Sequence, residues 1–363
     1  MTDLQTLLPI FVRWLGFVGL TTLVGGFAFV CLILPPDLLS RQTYQILDRR
    51  LRHVQAGSIL LVAFASVADL ILRTLAMSGG GLATLALTLP MVLRHTHFGT
   101  VWIARSFLLG LLGVIWWLRL LGPASPQFAW VSFCSACLVA LTTTLSGHAA
   151  DWGDVAVLAL VDWFHLLAVS IWIGGLFTFG FVLHRSLSPA SMEEMMHALS
   201  SIARRFSRIA AGCVTVFLAT GLYNTWLQVG SLPLLLVSPY GWTIMVKLLL
   251  VALVLIIGAV NRYHFLPLLA PRSSRHNQPV FRAIRRFTST PRVENETGGD
   301  QRIRYQFARC VRLEWIIVVV VLACSALLTQ LVPARHVHHL ELLKLHQHNG
   351  GHAPTAKPPS MQR

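Results

Sequence analysis

Two ionisable side chains lie inside a strongly apolar segment of this chain. Asp162 and His165 are three residues apart in the run from residue 154 to 183. An Asp at the centre of a membrane helix costs about 2.5 to 3.5 kcal/mol on insertion scales, so such residues indicate a functional site by default. A carboxylate and an imidazole one helical turn apart can bind a metal ion. The alternative is structural, because a membrane histidine can serve only as an interhelical hydrogen-bonding group.

The helix predicted over residues 154 to 183 presents two different faces at 100° per residue. Five residues share the stripe that contains the acid and the histidine: Asp162, His165, Val169, Trp172 and Leu176. Three small residues form a second stripe at a spacing typical of closely packed membrane helices: Ser170, Gly174 and Thr178. We therefore expect one face to form a polar site and the other to pack against a neighbouring helix.

A second histidine is expected near His165 on the adjacent antiparallel helix. His148 lies in the short segment that joins the helices predicted over residues 128 to 146 and 154 to 183. The second of these helices would be about 45 Å long, against a hydrocarbon core of about 30 Å, so it must tilt or protrude. His165 would then lie a little below the outer membrane boundary, within reach of His148.

Further histidines occur at two other places in the chain. His95 and His97 flank Thr96, and in an extended segment both rings would point the same way and could chelate one ion. Interfacial histidines near lipid headgroups are an equally valid interpretation of this pair. Near the C-terminus, a histidine-rich tail offers several more candidate metal ligands: His336, His338, His339, His346 and His348. This tail could instead be a solvated segment that binds metal only weakly.

The elements that must position these groups are membrane helices. Hydrophobic residues make up 55% of the 363 residues, charged residues make up 12%, and the mean hydropathy is +0.66, which soluble domains do not reach. Eight windows supply the roughly 20 apolar residues that a membrane span needs, without strand-like alternation. They cover approximately residues 8–34, 54–77, 99–121, 128–146, 154–183, 206–228, 241–266 and 314–333. We predict an all-α polytopic membrane bundle over residues 1–333, followed by the histidine-rich tail, residues 334–363.

The basic residues predict the orientation of this bundle. Alternate connecting segments hold 20 of the 29 Lys and Arg residues: 35–53, 119–127, 184–208 and 262–313. By the positive-inside rule these segments face the cytoplasm, so both termini and the histidine-rich tail are periplasmic. The net charge of +15 is explained by this distribution, and no nucleic-acid partner is predicted.

An ordered set of short motifs runs through the predicted helices from about residue 95 to 333. In chain order it comprises Phe98, Gly99, Trp102 to Arg105, His165 to Gly175, Arg205 to Arg208, Thr220 to Asn224, Tyr240, Gly241, Lys247, Asn261, Arg262, Pro267, Glu314 and Pro333. This set resembles the bacterial copper resistance protein D family. The resemblance lies in the order of the motifs rather than in any one of them.

The resemblance implies an inner-membrane protein with eight spans that handles copper, often in uptake supplied by a periplasmic copper-binding partner. The histidine-rich tail would then replace or dock that partner. Imidazole is a suitable ligand for copper. We therefore predict that His95, His97 and the tail collect the ion and that His148, His165 and Asp162 receive it at the membrane entrance.

On this basis we predict a multi-pass inner-membrane protein, embedded in the lipid bilayer, that binds copper and moves or delivers it, without enzymatic activity. One alternative is an assembly factor that presents copper to a membrane copper enzyme. Another is a b-type haem redox protein, which would need a second intramembrane histidine opposite His165. No oligomeric state is predicted.

Overall fold

The computed structural model describes residues 2–35, 38–79, 81–121, 126–146, 155–187, 191–229, 232–268 and 296–331. All regular secondary structure in these residues is helical. The α-helices in chain order are α1 (Thr2–Ala28), α2 (Arg41–Ser78), α3 (Leu82–His95), α4 (His97–Leu121), α5 (Pro126–Leu145), α6 (Val155–Phe177), α7 (His184–Ser186), α8 (Met192–Val229), α9 (Leu232–Val237), α10 (Pro239–Val260), α11 (Leu266–Leu268) and α12 (Glu296–Leu328).

Eight of the described helical segments are long and apolar enough to cross a membrane. They coincide with the eight predicted windows, so the prediction of an all-α polytopic bundle with eight spans is confirmed. α2 and α8 have 38 residues each, about 57 Å at 1.5 Å per residue, and therefore extend well beyond a hydrocarbon core of about 30 Å. The basic segments before these spans are thus partly helical.

Three of the spanning helices change to π-helical geometry near one end. The π-helical segments are Phe29–Ile33 after α1, Thr178–Leu183 after α6 and Asn261–Phe265 after α10. Under the predicted orientation, all three lie toward the cytoplasmic side. π-helical turns inside α-helices are rare and occur frequently at functional sites, which draws attention to the polar residue Asn261.

α1 and α6 form the centre of the bundle. The most apolar 18-residue windows of these two spans are 61% and 67% buried, against 39% or less in the other six spans. The two helices approach at Gly25 and Gly174, where a Cβ on Gly174 would lie 2.7 Å from the Cα of Gly25. Ser170 and Thr178 on the same stripe are fully buried. The predicted packing face of α6 is therefore the face that contacts α1.

Candidate metal-entry site

A cavity of about 630 Å³ lies beside α6, and its lining includes the stripe of that helix that carries Asp162 and His165. Residues of seven further helices line this cavity together with α6: α1, α2, α4, α5, α8, α10 and α12. Its polar and charged lining includes Arg13, Asp69, Arg73, Arg105, Asp162, His165, Asn224, Gln228, Tyr240 and Lys247. Asp162 and His165 thus both line this cavity, as their shared stripe on α6 indicated.

The His165 ring is oriented by a hydroxyl on α8. Its Nδ1 lies 2.9 Å from the Oγ of Thr220, and that Oγ lies 2.7 Å from the carbonyl oxygen of Val216. Because the Thr220 hydroxyl donates its proton to this carbonyl, its oxygen accepts from Nδ1–H. The tautomer inferred from this network leaves the lone pair on Nε2, which is the arrangement of a metal-binding imidazole held by an outer hydrogen bond.

The His165 ring also packs against α8. It is nearly perpendicular to the ring of Phe217, with a centroid distance of 6.3 Å, and Trp172 stacks on the same Phe217 at 5.2 Å. A Cβ added at Gly221 would lie 3.2 Å from the Cε1 of His165. Gly221 therefore leaves the space that the ring occupies, and a larger residue would push the ring away from α8.

Asp162 is held by an amide rather than by a strong ion pair. The Nδ2 of Asn224 on α8 donates to the Oδ1 of Asp162 at 2.6 Å. Lys247 on α10 interacts electrostatically with this carboxylate, although no described nitrogen of Lys, Arg or His lies within 4.0 Å of it. One carboxylate oxygen is thus fixed in place, and the nearby positive charge is not bound to it.

Another part of the cavity contains a second charged group around Asp69. This carboxylate lies 3.6 Å from the Nε of Arg13 and 3.1 Å from the Nε of Arg73, which is one turn later on α2. Arg105 is buried and donates to the carbonyl and hydroxyl oxygens of Thr142 and to the hydroxyl of Ser146. These ion pairs join α1 to α2, and the hydrogen bonds of Arg105 join α4 to α5.

His95 and His97 do not line the cavity. The expectation that they lie in an extended segment was wrong, because His95 ends α3 and His97 begins α4. Only Thr96 between them is extended, with φ −116° and ψ 147°, and its hydroxyl caps α4 by accepting from the N–H of Gly99 at 3.0 Å. Both histidines remain exposed at this corner, and the Nε2 of His97 lies 3.3 Å from the carbonyl oxygen of Leu145.

The remaining predicted ligands fall outside the described residues. They are His148, His336, His338, His339, His346 and His348. Among the residues that the structure does describe, no three His, Cys, Asp or Glu side chains are grouped closely enough to hold a metal ion. Asp162 and His165 alone therefore represent the predicted entrance site here.

Sequence reasoning did not assign a role to the groups that orient this pair. Thr220 and Asn224 are one turn apart on α8, and each contacts one of the two predicted residues on α6. The signal was present in the sequence as two polar residues four apart within an apolar helix. Without a structure, however, nothing identified which face of α8 meets α6.

Two family models match this chain. The model of copper resistance protein D matches residues 200–328, and the model of the copper resistance protein D-like N-terminal domain matches residues 1–156. The chain belongs to the copper resistance protein D family. It is accordingly a multi-pass protein of the bacterial inner membrane.

A curated relative is the copper transport protein CutJ of Bacillus subtilis (strain 168), which is 27% identical over 296 residues. The aligned region covers 78% of this chain and 46% of CutJ, so the chain spans about half the length of that relative. No solved structure matches. The names of the family and of the relative describe copper transport and resistance rather than catalysis.

Proposed function

We propose that this protein admits copper from the periplasmic side through the cavity lined by Asp162 and His165. The observation that supports the proposal is the orientation of His165, whose Nδ1 is bound to Thr220 at 2.9 Å so that Nε2 is the free ligand nitrogen. Asp162 supplies a carboxylate one turn away on the same helix face, and imidazole with carboxylate is a suitable donor set for copper. His148, outside the described residues, is proposed as the third ligand.

Lys247 would act as the resident counter-charge of this site. It shares the cavity with Asp162 and is electrostatically coupled to both Asp162 and His165. Without copper, the ammonium compensates the carboxylate in a low-dielectric environment. When copper binds, it takes over this compensation, and the repulsion from Lys247 keeps the ion from being held too tightly to move on.

The exposed histidines are proposed to act before this step. His95 and His97, together with the histidine-rich tail of residues 334–363, would raise the local copper supply outside the membrane domain. A periplasmic copper-binding protein is the proposed donor. Copper is in this view a cargo that passes from exposed imidazoles to the cavity, while residues 1–333 form the membrane domain that receives it.

The test is copper uptake into liposomes that contain only the purified protein. His165→Leu removes the ligand nitrogen but keeps an apolar side chain of similar size, and His53→Leu changes an exposed histidine on the part of α2 that is predicted to be cytoplasmic. We expect uptake with the wild type and with His53→Leu and a loss of uptake with His165→Leu. Full uptake with His165→Leu would refute the site. Copper that binds at Asp162 and His165 but never enters the liposomes would favour the assembly-factor alternative.

A further inference from the structure

A second buried acid lies outside the lining of the cavity, where α12 meets the end of α10. The side chain of Glu314 is only 3% exposed, and that of Asn261, in the π-helical segment after α10, is 7% exposed. The Nδ2 of Asn261 donates to the Oε1 of Glu314. The Oδ1 of Asn261 is buried and has no hydrogen-bond partner among the described residues. The amide therefore satisfies the acid with one end and leaves an acceptor unused at the other.

The part of the chain that the structure describes places no counter-charge beside this acid. Among the described residues, no Lys, Arg or His nitrogen lies within 4.0 Å of Glu314, and the guanidinium of Arg262 is directed to the carbonyl oxygen of Ser207 at 3.0 Å. α1 contacts α12 here through Trp14, and α6 contacts it through Phe177. The titratable neighbour that does interact with Glu314 is Cys310, one turn earlier on α12.

Glu314 is connected to the cavity by a continuous contact between α10 and α12. The residues along this contact, called the seam below, recur at alternating spacings of three and four. They are Lys247, Val251, Val254 and Gly258 on α10, Asn261 in the π-helical segment that follows, and Glu314, Val318, Val321, Ser325 and Leu328 on α12. Its outer part lines the cavity, and at its inner end a Cβ on Gly258 would lie 3.8 Å from the Oε2 of Glu314. Lys247 and Asn261 are 14 residues apart, about 21 Å along the helix.

We propose that Glu314 is a reversible protonation site at the cytoplasmic end of the seam, and that its deprotonation accompanies the movement of copper along the seam. The coupling to copper rests on the proposed function of the cavity. The proton passes from a carboxyl oxygen of Glu314 to water at the inner face and returns from there. While the carboxylate exists, it offsets the charge of a cation that moves past the apolar residues of the seam, which are Val251, Val254, Val318 and Val321.

Asn261 is the residue that makes both protonation states tolerable. As a carboxylate, Glu314 accepts from the Nδ2 of Asn261. As a carboxylic acid, it becomes a donor, and a half-turn of the amide presents the unused Oδ1 as its acceptor. A plain structural hydrogen bond between two helices would not need a titratable partner, whereas intramembrane acids are costly and usually functional.

The experiment is infrared difference spectroscopy of the full-length protein in liposomes, read at the carbonyl stretch of protonated carboxylic acids. Glu314→Gln keeps a side chain that can hydrogen bond to Asn261 but cannot titrate. Glu194→Gln is the matched control, because Glu194 bonds to Ser40 near the start of α2, away from the seam. We expect copper addition to remove a protonated-carboxyl band in the wild type and in Glu194→Gln, and we expect this change to be lost in Glu314→Gln.

A copper-induced band of wild-type size in Glu314→Gln would overturn the proposal. Copper stoichiometry is measured in parallel, so that a failure of the cavity is recognised separately. If copper does not bind to the wild type, the protonation of Glu314 is tested by a pH titration without copper. A titrating carboxyl band that depends on Glu314 supports the protonation site, and the absence of such a band refutes it. If Glu314→Gln does not accumulate, Glu314→Asp must shift the frequency of the band, and an unchanged frequency refutes the assignment.

Discussion

Replacement of Thr220 by Val is predicted to weaken copper binding although Thr220 is not a ligand. The hydroxyl of Thr220 accepts from the Nδ1–H of His165 and donates to the carbonyl of Val216. Val has nearly the same shape as Thr, so the packing of α8 against α6 is retained. What is lost is the group that selects the tautomer and the orientation of the imidazole.

The size of this effect follows from the role of outer hydrogen bonds to metal ligands. Loss of such a partner typically lowers metal affinity 10- to 100-fold, which corresponds to about 1.4 to 2.7 kcal/mol. The cost to folding is smaller, because interhelical hydrogen bonds in membranes contribute about 0.6 kcal/mol on average. Copper affinity should therefore fall much more than stability.

The assay is competition with a chelator of known copper affinity, measured on detergent-purified protein that lacks residues 335–363 so that the tail does not contribute. Thr220→Ser keeps the hydroxyl, so its copper affinity is expected to stay within roughly a few fold of that of the wild type. Thermal unfolding of all variants separates binding from stability. If Thr220→Val binds copper as tightly as the wild type, Thr220 does not hold His165 as a copper ligand.

Three further predictions concern the acid, the tail and the orientation. Asp162→Asn keeps a hydrogen-bonding partner for Asn224 but removes the charge, so copper affinity should fall while the melting temperature changes little; an unchanged affinity would exclude a ligand role. Deletion of residues 335–363 should reduce copper accumulation at low copper and spare it at high copper, as measured in cells; complete loss at saturating copper would mean that the tail is structural. A cysteine introduced at Ser289 should be inaccessible to a periplasmic labelling reagent, and one at Ser360 accessible, whereas labelling at Ser289 in intact cells would overturn the orientation.

The fold was largely predictable because a membrane span is a property of composition and length. Each of the eight apolar windows could be identified from its own residues, without information about the neighbouring helices. Helices outside the windows, α3 and α9, were missed because they are too short to span and lie in segments that were interpreted as loops. The extended segment expected at Thr96 was wrong because the corner is closed by a cap, a local detail that alternation does not reveal.

The shared face of Asp162 and His165 on α6 was predictable from the sequence, and the contacts of these residues with other helices were not. A single helix wheel placed Asp162 and His165 on one stripe and Gly174 on the other, and the structure places these faces against the cavity and against α1. The partners Thr220 and Asn224 depend on the rotation and register of α8, which apolar periodicity does not determine in lipid. The buried pair of Asn261 and Glu314 likewise becomes visible only when α10 and α12 are brought together.

Copper stoichiometry of the protein without residues 335–363 tests the central claim most directly, because it removes the tail histidines and leaves the cavity. The metal content is measured after dialysis, in the wild-type background and in His165→Leu. We predict about one tightly bound copper ion per truncated chain, because the cavity offers a single donor set of imidazole and carboxylate. We predict that His165→Leu loses this ion. If the truncated His165→Leu protein folds normally and retains the same copper content, the ion is bound elsewhere and His165 is a packing residue.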